Sequence, residues 1–190
     1  MTRCEWANSN PLETTHHDED WGVPVHDDQM LFEMIILEGA QSGLSWATIL
    51  RKRAGFVAAF DNFDIKKIAS YSPTKIAALM IDARIVRNKL KINATVENAK
   101  RCLDIQQEYG SFDHYIWSFV AGKTINNHWE SEADVPSSSV EAESMSKSLK
   151  KKEFKFVGPT TCYAYMQAVG MVNDHVVSCF RHREVQLLAS

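Results

Sequence analysis

The chain has 190 residues, 45% hydrophobic and 24% charged, which is enough for one large domain or two small ones with a proper core. Its net charge of −3 argues mildly against nucleic acid, but Lys147, Lys150, Lys151, Lys152 and Lys155 crowd one stretch, and Arg84, Arg87, Lys89 and Lys91 another. No apolar run approaches a membrane span and Met1–Trp6 lacks a signal peptide's apolar segment, so a cytoplasmic location is expected, where four cysteines do not suggest a disulfide framework.

Residues 1–25, with Pro11, Gly22 and Pro24 and no sustained period, read as an irregular opening. Asp27 or Asp28 caps a helix to about Glu38, with Leu31, Met34 and Ile35 at helical spacing. Glu38 continues that apolar face, and a carboxylate there is expensive unless something pairs with it. Gly39 and Gly43 break the helix. The next is expected over about 42–53, with Leu44, Ile49 and Leu50 inward, followed by Phe56, Phe60 and Phe63.

Asp64 and Ser72-Pro73 open two short helices, and 88–108 reads as a long one stopped by Gly110. Residues 111–121 form an aromatic-rich helix, and 122–139 a polar loop. Ser137-Ser138-Ser139 caps a helix through Lys152. Helices follow over 160–170 and about 173–180, and the tail beyond has little to bury. No strand pairs or repeats are evident. The fold class is all-α, with a single domain expected over 1–183 and a flexible tail at 184–190.

Three constellations carry candidate chemistry. Glu38, the glycine-bearing turn and Trp46 lie within nine residues, an arrangement that supplies an acceptor and a ring face for a flat ligand such as a purine. Trp6, Trp21 and His16 are candidate neighbours; core tryptophans and a capping glutamate are the ordinary alternative. Cys4, His17, His175 and Cys179 make a complete tetrahedral zinc set with no position left for water. Against that stand a core cysteine and surface histidines met by coincidence, with His16 as a competing ligand. Cys102 and Cys162 fit core positions. The third is Phe154-Lys155-Phe156-Val157-Gly158-Pro159-Thr160-Thr161, between two helices and beside the lysine run. A glycine turn lets backbone N–H groups approach a phosphate, and the following helix N-terminus favours negative charge. An ordinary helix connection beside a solvated lysine face is the alternative.

Leu37-Glu38-Gly39-Ala40-Gln41-Ser42-Gly43-Leu44-Ser45-Trp46, together with His17-Asp18-Glu19-Asp20-Trp21-Gly22-Val23-Pro24 and Phe154–Gly158, resembles the bacterial 3-methyladenine DNA glycosylase I family, from Cys4 to about Cys179. The resemblance implies a two-lobed helix-hairpin-helix glycosylase-like fold in which a structural zinc on Cys4, His17, His175 and Cys179 ties the chain ends together. It implies that Glu38 contacts an extruded base, that Trp46 stacks on it, and that the 41–44 turn enters the base stack. Leu44 would be the wedge, unless it packs in the core, with Gln41 as a polar plug beside Gly43. Lys155, Gly158, Thr160 and Thr161 would meet the DNA backbone.

The implied reaction is hydrolytic excision of 3-methyladenine from alkylated double-stranded DNA. No lysine is placed as a Schiff-base nucleophile, so a monofunctional, monomeric enzyme without strand cleavage is expected. Asp174, directly before His175, reads as support for the zinc site rather than as a catalytic acid. The family's tyrosine at position 16 is His16 here, and its frequent aromatic at position 13 is Glu13. These two residues favour the rival reading, a zinc-tied module that binds DNA or a purine without turnover. A metal-dependent nuclease would need a carboxylate cluster that the chain lacks.

Overall fold

Helix starts in this chain follow side-chain oxygens. The computed structural model of the protein describes residues 1–189. Asn10 opens α1 (Pro11–Glu19), Asp27 opens α2 (Asp28–Gln41) and Ser45 opens α3 (Trp46–Ala59). Asp64 and Ser72 open α4 (Ile65–Ala69) and α5 (Pro73–Ile81), while Asn88 and Ser111 open α6 (Lys89–Tyr109) and α7 (Phe112–Trp117). Ser139 opens α8 (Val140–Lys151). Each cap accepts from a first-turn N–H that the helix itself leaves unpaired. α9 (Pro159–Ala168) and α10 (Phe180–Leu188) start without a side-chain cap.

Helix α1 overturns the irregular opening. Its cap takes two donors, from Leu12 and Glu13, and Pro11 suits the first turn. Periodicity misses it because its buried residues are two histidines, His16 and His17, rather than an apolar stripe.

Helix α2 is the centre of the molecule. It packs against α3, α6, α7 and α9, and it is buried continuously from Met34 to Ala40. A helix enclosed on all sides needs apolar residues all round, which is why its sequence shows more than one face. At its start, the Asp28 carboxylate accepts from Gln106 Nε2 (2.7 Å) and from the N–H groups of Phe112 (2.9 Å) and Asp113 (2.7 Å). One charged residue thereby joins α2 to the end of α6 and the beginning of α7.

The chain's second half departs from the expectation at three points. Ile125–Asn126 and Val172–Asn173 form a two-residue parallel pair, Ile125 opposite Val172 and Asn126 opposite Asn173. Two residues are too few to leave an alternating pattern. The last helix begins at Phe180 rather than near 173, so His175 lies in a loop and Cys179 caps the helix. α10 then buries Arg181, His182 and Val185, within the stretch expected as a tail with little to bury. No helix among the described residues is long and apolar enough to cross a membrane.

Gly170 shows how closely the segments meet. It has φ +74°, and a Cβ there would stand 2.5 Å from Pro24 N and Val23 C. Gly110 has φ +89° with nothing within 4 Å of such a Cβ. Gly170→Ala should therefore destabilise the fold by about 3 kcal/mol or more, against about 1 kcal/mol for Gly110→Ala. Urea unfolding of both variants checks this, and equal losses would mean that backbone strain alone acts at both positions.

Candidate active site and metal-binding cluster

Helix α2 delivers Glu38 to a cavity of about 450 Å³ also lined by His16, Trp6, Trp21 and Trp46. Five segments supply these side chains: the turn before α1, α1 itself, the segment after it, the end of α2 and the first residue of α3. Glu38 is 5% exposed and has no hydrogen-bond or ion-pair partner among the described residues. Burial pushes its carboxyl up to about 8. Desolvation disfavours the charged form, and no donor offsets it.

The five residues expected in the pocket are thus brought together. The His16 ring centre is 5.3 Å from Trp46, and Trp6 meets Trp21 edge-on at 5.2 Å. His16 Nδ1 lies 3.3 Å from Asp20 Oδ2, and Arg53 donates to both Asp20 (3.1 Å) and Glu33 (2.7 Å). Hydrogen bonding to His16, and the Arg53 charge, hold the Asp20 carboxyl below its ordinary value. His16 Nε2 is buried without a protein partner. Two polar groups in one aromatic cavity are therefore unsatisfied by the protein, and buried polar atoms are normally bonded to something.

Asp174 corrects the expectation that it supports the metal ligands. Its carboxylate accepts from Asn127 (2.7 Å), Trp129 (2.8 Å), Tyr163 (2.6 Å) and Gln167 (2.8 Å), and it lines the same cavity as Glu38. The two carboxylates differ in kind, one saturated with donors and one with none. Local spacing carries no signal for this, since two donors, Tyr163 and Gln167, come from α9 and two, Asn127 and Trp129, from a loop more than forty residues away along the chain.

Cys4, His17, His175 and Cys179 converge as a buried cluster able to hold a metal ion, with all four ligand atoms within 4.8 Å of one another. Cys4 Sγ and Cys179 Sγ lie 3.7 and 3.6 Å from His175 Nδ1, and Cys179 Sγ lies 3.4 Å from His17 Nε2. Bonds of about 2.0–2.3 Å to one tetrahedral ion place ligand atoms roughly 3.3–3.8 Å apart, so the donor set fits. The remaining ring nitrogens are fixed by Asp18 (2.8 Å) and the Trp21 carbonyl (3.0 Å), partners of the kind that orient metal-bound histidines. The Cys4 thiol, along with His17 and His175, holds Cys179 well below its ordinary value. Trp21 serves both places: its carbonyl steadies His175 while its ring forms a cavity wall.

A second cavity of about 270 Å³ adjoins the first through Glu38, Gln41 and Ala164. It runs between Gly43 and Leu44 on one side and Thr160 and Thr161 on the other. Leu44 is 40% exposed, which excludes the core alternative and corrects its inward assignment. Gly43, at φ +79°, turns the chain before Ser45 caps α3. The Lys155 side chain is exposed, and neither it nor Gly158 lines these two cavities. Gly158 has φ −65° and caps α9, so it is not the turn's left-handed residue; Glu153 and Phe156 are.

The fold and the paired cavities define a helical protein with a deep aromatic pocket opening beside two surface turns. A family profile described as methyladenine glycosylase matches residues 6–182. DNA-3-methyladenine glycosylase 1 of Escherichia coli (strain K12) is 44% identical over 179 residues, covering 94% of this chain and 96% of that relative. A crystal structure of 3-methyladenine DNA glycosylase I superposes with a TM-score of 0.91 at 43% identity, covering 94% of this chain and 98% of that one. A Staphylococcus aureus structure concerned with 3-methyladenine recognition by 3-methyladenine DNA glycosylase I also reaches 0.91, at 36% identity over 95% and 96% of the two chains. The chain belongs to the methyladenine glycosylase family.

Because the folded Glu38 carboxyl lies above its unfolded value of 4.5, the folded state binds the extra proton. Its contribution therefore opposes folding increasingly as pH rises from 4.5 through about 8. Glu38→Gln should raise the melting temperature by several degrees at about pH 9 and change it little at about pH 5. Thermal melts at both pH values decide this; a variant less stable at high pH would mean that the carboxylate is paired in the fold.

Proposed function

We propose that this chain is a DNA repair glycosylase that flips 3-methyladenine out of alkylated double-stranded DNA and hydrolyses its N-glycosidic bond. The observation that carries this reading is the partnerless, buried Glu38 carboxyl facing Trp46 in an aromatic cavity. The similarity to relatives named for this activity supports it over nearly the whole chain.

A 3-methylated adenine is cationic in DNA. When its C–N bond breaks, the electron pair moves onto the base, which leaves as a neutral purine, and water adds to the sugar carbon. No general acid is needed, so extrusion and positioning are the enzyme's main work. A cation entering the cavity favours the ionised form of Glu38, whereas neutral adenine offers nothing to offset burying that charge. The carboxylate then accepts from the base edge while Trp46 stacks on the cationic ring. Trp6 and Trp21 complete the walls. His16, with Nδ1 engaged by Asp20, has Nε2 available to the base. Leu44 fills the gap in the stack, beside Gln41 and Gly43. Lys155, Gly158, Thr160 and Thr161 meet the phosphates, where the start of α9, bonded by no side-chain cap, favours an anion. None of the residues lining the main cavity is a lysine, in keeping with a monofunctional enzyme without strand cleavage.

The metal held by Cys4, His17, His175 and Cys179 is zinc on this reading, in a closed structural site that supplies no chemistry to the substrate and ties the opening segment to the loop before α10. The chain acts as a monomer in the cytoplasm.

Purified protein should release free 3-methyladenine from methylated duplex DNA, with Glu38→Gln and Trp46→Ala each at least about tenfold slower. Chromatography of the released base measures this, and duplex binding without release would replace the enzyme by a binding module. Elemental analysis should find zinc at about one ion per chain, and chelation should lower the melting temperature by about 10 °C or more. A metal-free protein with unchanged melting would remove zinc from the account.

A further inference from the structure

Two turns face the proposed DNA side, the one after α2 and the one before α9, and neither is self-supporting. Ala40 lies in the last turn of α2, where carbonyls have no partner within the helix. Its carbonyl and that of Ser42 accept from Lys91 Nζ, at 2.8 and 2.7 Å. The turn before α9 contains two residues at positive φ, Glu153 and Phe156. Its backbone is gripped at Lys155, whose N–H donates to Asn98 Oδ1 (2.8 Å) and whose carbonyl accepts from Asn98 Nδ2 (3.1 Å).

Lys91 and Asn98 both belong to α6. They are seven residues apart, on one face about two turns from each other. The turn before α9 also packs against the last turn of α2, from which the other turn departs: a Cβ at Gly39 would lie 3.1 Å from Phe156 Cβ. We infer that α6 is a strut that sets the spacing of the two DNA-facing turns, with Lys91 and Asn98 as positioning residues for engagement of the duplex. The inference rests on the DNA-glycosylase reading of the site.

The hydrogen-bond geometry separates Lys91 from an ordinary phosphate-binding lysine. Its ammonium is directed at two backbone carbonyls near a helix C-terminus, where a cation also complements the helix dipole. Partial burial lowers its pKa from the ordinary value, as expected of a charge drawn away from water. Asn98 is buried, so it meets DNA only through the backbone it holds.

The test compares Lys91→Met, Lys91→Arg and Asn98→Ala with the parent in two binding measurements. One is affinity for a duplex carrying an abasic-site analogue, taken over a range of salt. The other is affinity for free 3-methyladenine, followed by tryptophan fluorescence. Lys91→Met and Asn98→Ala should each lose about tenfold in duplex affinity, and Lys91→Arg should recover most of it, because the carbonyl contacts need a cationic donor. Affinity for the free base should stay within about twofold, and the salt slope should stay at the parent's value. A slope reduced by about one charge for Lys91→Met would make Lys91 a phosphate contact and overturn the inference. Unchanged duplex affinity, or parallel loss of free-base binding, would overturn it equally. If the parent failed to bind free 3-methyladenine, the glycosylase reading would fall, and the duplex measurement would still decide the role of α6.

Discussion

Glu38 is a carboxylate buried at the end of an enclosed helix with no protein partner, and the site is arranged around that expense. Such a group stays in a native structure only if the surrounding fold outweighs its desolvation. Here α2 packs against four other helices, and Asp28 fixes its first turn to α6 and α7. The helix is held at both ends, so the carboxyl cannot relax outward to water.

Aromatic walls keep the space in front of Glu38 apolar, and they are steadied from behind. Cys4, His17, His175 and Cys179 draw the opening segment against the loop before α10, and Trp21 passes that anchorage to the cavity. Asp174 fixes another wall in the opposite manner to Glu38, with four donors on one carboxylate. Two acids in one cavity are thus differentiated by their hydrogen bonds alone. Such differentiation lets one acid respond to a ligand while the other holds the frame.

The surface beside the cavity follows the same logic. Leu44 projects instead of packing inward because Gly43 turns the chain and Ser45 starts the next helix at once. Helix α6 then braces that turn and the one before α9 with two side chains on one face. Cavity, metal-binding cluster and turns are therefore one mechanical unit built on α2.

Local chemistry was legible in the sequence. Asp27, Asp64, Ser72 and Ser139 announced their helices, because a cap acts on N–H groups two or three residues away. Glu38 at the end of an apolar stripe, Trp46 beyond a glycine turn, and the two cysteines and two histidines could also be read directly, since residue type alone restricts their chemistry. What only the tertiary structure decided involves partners distant in the chain. Helix α1 has no apolar stripe because its buried residues are the cluster and cavity histidines. His175 reaches Cys4 across 171 positions from a loop rather than a helix. Asp174 turns to the cavity, and Lys91 leaves a basic cluster to bind carbonyls 49 and 51 positions away. Caps and periodicity act within a turn or two of helix, whereas these contacts depend on how finished helices pack, and that packing leaves no spacing in the sequence to read.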